Sequence, residues 1–366
     1  MGFGLFLPDI GAAFRLSSSA AGVISGLGFS GFLTGLLVAY WLTARVGPKL
    51  PVLIGILTAT AGMGLIAAAT TVPVLTVGVI LAMSSAGFTW SPFNSAVSTD
   101  VVPERRPTAL SIISTGTSIG VAGAGLVALV LAGPGLSWRA GWAAFAVMGI
   151  VVGVLNWLLL DRSSGTTQAR AAEPYRKLAS KTAAPLYASG FSFGITTAVY
   201  ISFAADRVAS VGGLPGLPAG ASADTIFIAY GTFGLIGLAT DRLKAAVGLA
   251  GLLRSLHVTA AISHLLIAIS PASWISVIIS AAFQGGYVMM MSAIMAFWSE
   301  RLFPEQPTRS FTATLLAVAG GSVLGPVAAG SIADASRPAV MFLSGASVSA
   351  VTAWLLRPRI IRETSA

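Results

Sequence analysis

From Val102 the chain reads VPERRPTALS, and about 200 residues later, from Phe303, it reads FPEQPTRSFT. A second pair keeps nearly the same offset: TARVGPK from Thr43 and TDRLKAA from Thr240. These four polar segments interrupt long apolar runs of roughly 20 residues, the length needed to cross a bilayer core. Two like halves follow from the repeat. All four segments fall on the same basic side, so the copies run parallel, related by an axis along the membrane normal.

Eleven full spans are legible: 19–43, 50–70, 73–94, 109–132, 138–160, 184–205, 222–240, 245–269, 274–297, 311–332 and 339–356. Before them stands MGFGLFLPDI, apolar but about half the required length. Taken as the end of a first helix, it gives twelve spans, the first cut short at its N-terminus. The expected start then lies upstream of Met1. An N-terminal six-helix bundle over 1–160, a cytoplasmic central loop over 161–183 and a C-terminal bundle with a short tail over 184–366 are expected.

Composition agrees. Of 366 residues, 55% are hydrophobic and 9% charged, against roughly 25% charged in soluble domains. Mean hydropathy is +0.87. In the twelve-span frame, sixteen of the 21 Lys and Arg lie on one side and four on the other, with Arg254 inside a span. The excess of Lys and Arg marks the cytoplasmic side, which holds the central loop and the C-terminus. The same dispersal accounts for the net charge of +9 without a nucleic-acid partner.

Residues 4–37 run GLFLPDIGAAFRLSSSAAGVISGLGFSGFLTGLL: a proline near a helix end, serines, then spaced glycines. Next comes YWLTARVGPK from Tyr40. Together with SWRAGWAAF from Ser137 and the glycine-rich TGTSIGVAGAG from Thr115, this resembles the major facilitator superfamily. The family's cytoplasmic loop signature is G-x-L-A-D-R-x-G-R-K. Arg45, Gly47 and Lys49 match it, while Ala44 replaces the aspartate and Pro48 a basic residue. In the second half, GLATDRLK from Gly237 keeps Asp241 and Arg242 in the equivalent loop. The resemblance covers essentially the whole chain. It implies an all-α membrane protein of two parallel six-helix bundles, a monomer that moves a small molecule by alternating access as a symporter or antiporter.

The resemblance further implies a cavity lined by spans one, four, seven and ten, with span nine at the periphery. Candidates sharing a face in the cavity are Trp90 and Asn94, then Phe193, Thr197 and Tyr200, then Gln284, Tyr287 and Met291. Such mixtures suit an apolar pocket with a few orienting hydrogen bonds. They suit ordinary interhelical packing as well. Arg45, Gly47, Lys49, Asp241 and Arg242 are the candidate cytoplasmic gate. With Ala44, one latch lacks its acid, so the population is expected to lean inward-open.

Ionisable groups inside spans are costly and therefore functional candidates. In span nine, spacings of three and seven put Arg254, His257 and His264 on one helical face; a proton or anion track competes with snorkelling and simple bonding to neighbouring helices. Asp9, closing span one, and Asp206, closing span seven, are candidates for ion coupling, with solvation at the outer surface as the plain alternative.

Other functions are excluded. Without cysteine there is no disulfide or thiolate metal site. The N-terminus lacks the form of a signal peptide. No phosphate loop, Gly-x-Ser-x-Gly elbow or His-Glu-x-x-His is present, so neither an enzyme, a cofactor site nor an ATP-driven pump is expected. Very short loops fit a bacterial inner membrane. A non-transporting receptor or scaffold is the rival class.

Overall fold

The computed structural model describes residues 2–102, 105–132, 137–159, 178, 180–218, 220–357 and 361. All regular structure among them is helical, as the sequence implies. The helices are α1 (Gly2–Leu5), α2 (Leu7–Phe14), α3 (Ser18–Val46), α4 (Lys49–Ala67), α5 (Val72–Asp100), α6 (Arg106–Ala132) and α7 (Trp138–Leu159). They continue with α8 (Ala184–Ala209), α9 (Ala221–Gly234), α10 (Thr240–Ile269), α11 (Trp274–Leu302), α12 (Pro307–Ala335) and α13 (Pro338–Leu355). Most of the central loop, 160–177 and 179, lies outside the described residues.

Among the described residues, nine helical stretches are long and apolar enough to cross a membrane. One runs 49 residues, from Ala221 to Ile269. Its length of about 74 Å is more than twice a bilayer core of about 30 Å, so it comprises two crossings. The break is at Gly248, with φ 72° and ψ 166°. Counting its two arms, α6 and the α1–α2 segment gives the twelve spans of the sequence frame.

This corrects one placement. GLATDRLK, from Gly237, is not a loop: residues 235–239 form a 3-10 turn and α10 begins at Thr240. Asp241 and Arg242 therefore sit on a helix that ends at Gly248. Nothing in that segment breaks a helix, whereas φ 72° together with ψ 166° is open essentially to glycine alone.

Asp9 needs a second correction. It does not close span one but lies inside α2, which runs on to Phe14 and stops where Arg15 turns left-handed (φ 53°). Leu16 N–H then reaches back to the Gly11 carbonyl at 3.0 Å. A left-handed arginine is strained by roughly 1 kcal/mol. Arg15→Gly is expected to raise stability by up to about 1 kcal/mol, read as a higher thermal midpoint. The motif glycine Gly47 makes the same kind of cap without strain (φ 79°), its N–H bonding Thr43 at 3.0 Å.

The chain divides into two compact units. One comprises Met1–Val23, Ser114–Pro134 and Tyr175–Ala366; the other Ile24–Ile113 and Gly135–Pro174. These are not the halves of the repeat. Glycine contacts explain the grouping of the first: Gly4 lies under the Ile201 carbonyl, and Gly125 under Asp224 and Ile228. Close backbone approach at small residues is how membrane helices associate.

The repeat nonetheless recurs inside each unit. In the second, Gly87 of α5 packs against the Phe32 carbonyl and Leu36 nitrogen of α3. In the first, Gly285 of α11 packs against the Tyr230 carbonyl of α9 and the Gly234 nitrogen. Each residue of the later crossing stands 198 positions after its counterpart. The duplication is thus preserved down to the atoms of one helix crossing.

Candidate functional site

In the first unit, α11 presents Ser280, Gln284, Tyr287 and Met291. Spacings of four, three and four align them on one stripe. None is more than 1% exposed. On α8, Phe193, Thr196, Thr197 and Tyr200 occupy a corresponding face.

Two sets of hydrogen bonds pin these helices. At one level, Tyr200 Oη lies 3.0 Å from Ser280 Oγ. Ser280 Oγ donates to the Ser263 carbonyl of α10 at 2.8 Å, and Ser263 Oγ donates to the Ser280 carbonyl at 2.8 Å. At the other level, Tyr287 Oη lies 3.4 Å from Thr196 Oγ1 and 3.3 Å from His257 Nδ1. His257 Nε2 lies 3.0 Å from Ser189 Oγ. Phe193 meets the Tyr287 ring edge-on at 5.3 Å.

One neutral tautomer satisfies the whole second set. Thr196 Oγ1 donates to the Ser192 carbonyl at 3.0 Å, so it accepts from Tyr287. Tyr287 oxygen then accepts from His257 Nδ1–H, and His257 Nε2 accepts from Ser189. This assignment follows from donor and acceptor capacity. His264 is different: Nδ1 lies 2.9 Å from the Ala260 carbonyl and Nε2 3.1 Å from the Thr196 carbonyl. A neutral ring has one N–H and makes one of these bonds; a protonated ring makes both.

Between the two levels sits Gln284. It is fully buried, and neither its Oε1 nor its Nε2 has a partner. Thr197 Oγ1, Tyr230 Oη and Ser118 Oγ are likewise buried without partners. The Tyr230 ring stacks on Tyr200 at 6.4 Å. Each such orphan costs about 1–3 kcal/mol. Thr197 and Gln284 stand on helices that the two pins hold together, so hydrogen-bonding capacity on both goes unmet within the fold.

The structure brings Phe193, Thr197, Tyr200, Gln284, Tyr287 and Met291 together. Trp90, half-buried on α5, belongs to the other unit, and the Asn94 side chain lies outside the described residues. Of the gate candidates, exposed Arg45 stacks over Trp41 at 3.6 Å, and Lys49 Nζ donates to the Trp157 carbonyl at 2.9 Å. Asp241 pairs with Lys244 on its own helix at 3.2 Å, and Arg242 is exposed. Asp206 is half-buried in the last turn of α8. The expectation that Arg254 shares a face with the histidines is corrected: it is exposed, while His257 and His264 are fully buried. Three residues along a helix is a rotation of 300°, enough to turn Arg254 outward.

Sequence reasoning missed four groups. Thr196 carries the hydrogen bonds beside the chosen Thr197. Tyr230 escapes notice because the resemblance directs attention away from span eight, although a tyrosine in an apolar span is a usable signal. Asp224, in the first turn of α9, is 4% exposed and lies within electrostatic reach of Asp9. Asp334 accepts from the Ser18 and Ser19 N–H groups at 3.1 and 2.9 Å, capping α3 from the end of α12.

Against this geometry stand the comparisons with known proteins. A family model described as Major Facilitator Superfamily matches residues 1–302. A point mutant of the nucleoside transporter NupG superposes with a TM-score of 0.79 at 15% identity, covering 99% of this chain and 96% of the other. A bacterial homologue of the human lysosomal transporter Spinster, inward-facing and unoccupied, gives 0.69 at 17%, covering 97% and 90%. At these identities the likeness shows the fold. No curated protein matches the chain.

Proposed function

This chain belongs to the Major Facilitator Superfamily, and we propose that it moves a small uncharged molecule across the cytoplasmic membrane by alternating access, coupled to protons. The observation that carries the reading is Gln284, fully buried with both amide atoms unpartnered between two cross-helix pins. A packing residue would satisfy its amide within the fold. A binding residue leaves it for a ligand.

Proton coupling draws support from the Ser189–His257–Tyr287–Thr196 chain, in which every hydroxyl and the ring can pass a proton along. The proposed moving bodies are the six-helix halves 1–160 and 184–366, with 161–183 and the C-terminus on the cytoplasmic side, working as a monomer.

The test is transport in proteoliposomes under an imposed pH gradient, with labelled uridine, a hexose and an amino acid. Uridine is included because a nucleoside transporter shares the fold. Accumulation of one probe, abolished by a protonophore, is the expected result. If none crosses in either direction and none binds, the receptor or scaffold reading replaces transport. Ala44, where the family signature has aspartate, is the observation that keeps that rival standing.

Ala44 also gives a smaller prediction. Ala44→Asp is expected to shift the population away from inward-open by a few-fold, the scale of one exposed charge contact. Cysteine crosslinking across the cytoplasmic side, in a chain free of native cysteine, would show it. Unchanged crosslinking would count against the latch.

A further inference from the structure

Gln284 also constrains what the ligand looks like. We propose that it reads the lactam edge of a planar, uncharged heterocycle, with the Tyr200–Tyr230 pair as its aromatic wall; this rests on the transport reading above. The Tyr200–Ser280 and Thr196–Tyr287 contacts pair residues four apart on α8 with residues seven apart on α11, in opposite order. The helices therefore run antiparallel here, and Gln284 falls at the level of Thr197. Neither orphan satisfies the other.

A carboxamide offers a carbonyl acceptor and an N–H donor side by side in one plane. A hydroxyl can satisfy either atom singly. A lactam, with its own N–H beside its own carbonyl, satisfies both at once and in the same plane. Aromatic rings stand about one turn to either side of Gln284: Tyr200, bonded to Ser280, and Tyr287. Tyr200 and Tyr230 lie with their planes 26° apart, and Phe193 and Tyr287 close the next level. The buried hydroxyls Thr197 Oγ1 and Tyr230 Oη remain for further polar atoms on the ligand.

The surroundings also argue for neutrality. Among the described residues no Lys, Arg or Glu is buried. The one buried carboxylate, Asp224, stands six residues before Tyr230, about 9 Å away along the helix. A charged ligand would meet no counter-charge at Gln284, and burying an unpaired charge is prohibitive. Both histidines already bond to protein groups.

The experiment uses the full chain in lipid nanodiscs, titrated with uridine and inosine and with 3-methyluridine and 1-methylinosine. Methylation replaces the lactam N–H and leaves ring size and charge nearly unchanged. The expected result is binding of uridine or inosine, weakened at least tenfold by methylation, because a buried carbonyl is left unpaired. In Gln284→Met the two members of a pair should bind within about twofold of each other. The comparison on the unaltered chain stands even if that variant fails to fold. Equal binding of methylated and unmethylated probes overturns the proposal. Binding of a hexose or amino acid alone overturns it while leaving transport intact. Failure of every class to bind or cross removes the transport reading with it.

Discussion

Gly285→Val should cost at least about 3 kcal/mol and leave little folded protein in the membrane. The added side chain meets the Tyr230 carbonyl and the Gly234 nitrogen, both backbone atoms of a packed helix. A flexible side chain could swing away; a helix backbone cannot without losing its neighbours. Overpacking of a close-packed interior costs typically about 1–3 kcal/mol, and a rigid obstacle belongs at or above the top of that range. The repeat doubles the prediction. Gly87→Val, against the Phe32 carbonyl and Leu36 nitrogen, should fail in the same way. Gly64 has nothing within 4 Å of where a Cβ would stand. Gly64→Ala should be within about 0.5 kcal/mol of the parent. Size-exclusion profiles of solubilised protein, followed by denaturant titration, separate these outcomes. A folded, monodisperse Gly285→Val would mean that the α9–α11 crossing is not as drawn.

Removal of the Asp334 carboxylate should release the start of α3 from the end of α12. Asp334 accepts two backbone N–H bonds at the α3 N-terminus, where the partial positive charge of the helix favours an anion. Below it the two helices touch through glycine: Gly22 lies under the Pro326 carbonyl and Gly330 under the Ser18 carbonyl. The site is exposed, so Asp334→Ala should cost roughly 1 kcal/mol, about a fivefold shift in population. Asp334→Lys sets a cation against the helix end and should cost about 2 kcal/mol, roughly thirtyfold. On the proposed six-plus-six division, Ser18 and Asp334 belong to different halves, so under the proposed alternating access this contact would form and break in each cycle. A single cysteine at exposed Ser331 reports it through its maleimide labelling rate. The rate should rise from parent to Ala to Lys. Equal rates in all three would show that the carboxylate holds nothing shut.

The fold was largely legible because bilayer thickness and charge asymmetry act on composition, and composition is what a sequence displays. The repeat at Val102 and Phe303 needed no coordinates. The ends of helices were harder. Asp9 looks like an end because Pro8 and a charge stand together, yet the apolar side of α2 continues through Ile10 and its cap lies at Arg15. Asp241 looks like a loop residue because charges cluster there, but Arg242 and Lys244 are good helix formers and an acid suits the first turn, where Asp241 stands. Only one glycine of several nearby carries the turn, and sequence gives no means of choosing among Gly237, Gly248 and Gly251.

The site was half legible. Spacing along α11 puts Gln284, Tyr287 and Met291 on one stripe. It does not say which hydroxyls find partners and which do not, because that depends on the neighbouring helix. His257 shows this well. The resemblance directs span nine toward the periphery, yet its histidine bonds at once to Ser189 of α8 and Tyr287 of α11.

The turn at Gly248 has a practical consequence for topology mapping. Epitope tags are usually inserted between spans, where the chain tolerates extra length. After α8, residues 210–218 provide such a place, with left-handed glycines at 212, 213 and 216. Between the two arms of the Ala221–Ile269 stretch there is no slack: helix runs up to Gly248 and resumes directly after it. An insertion at Asp241 would cut a helix rather than lengthen a linker. A silent tag there would report damage, not sidedness, and the orientation of that rim is better read from the far ends of the hairpin.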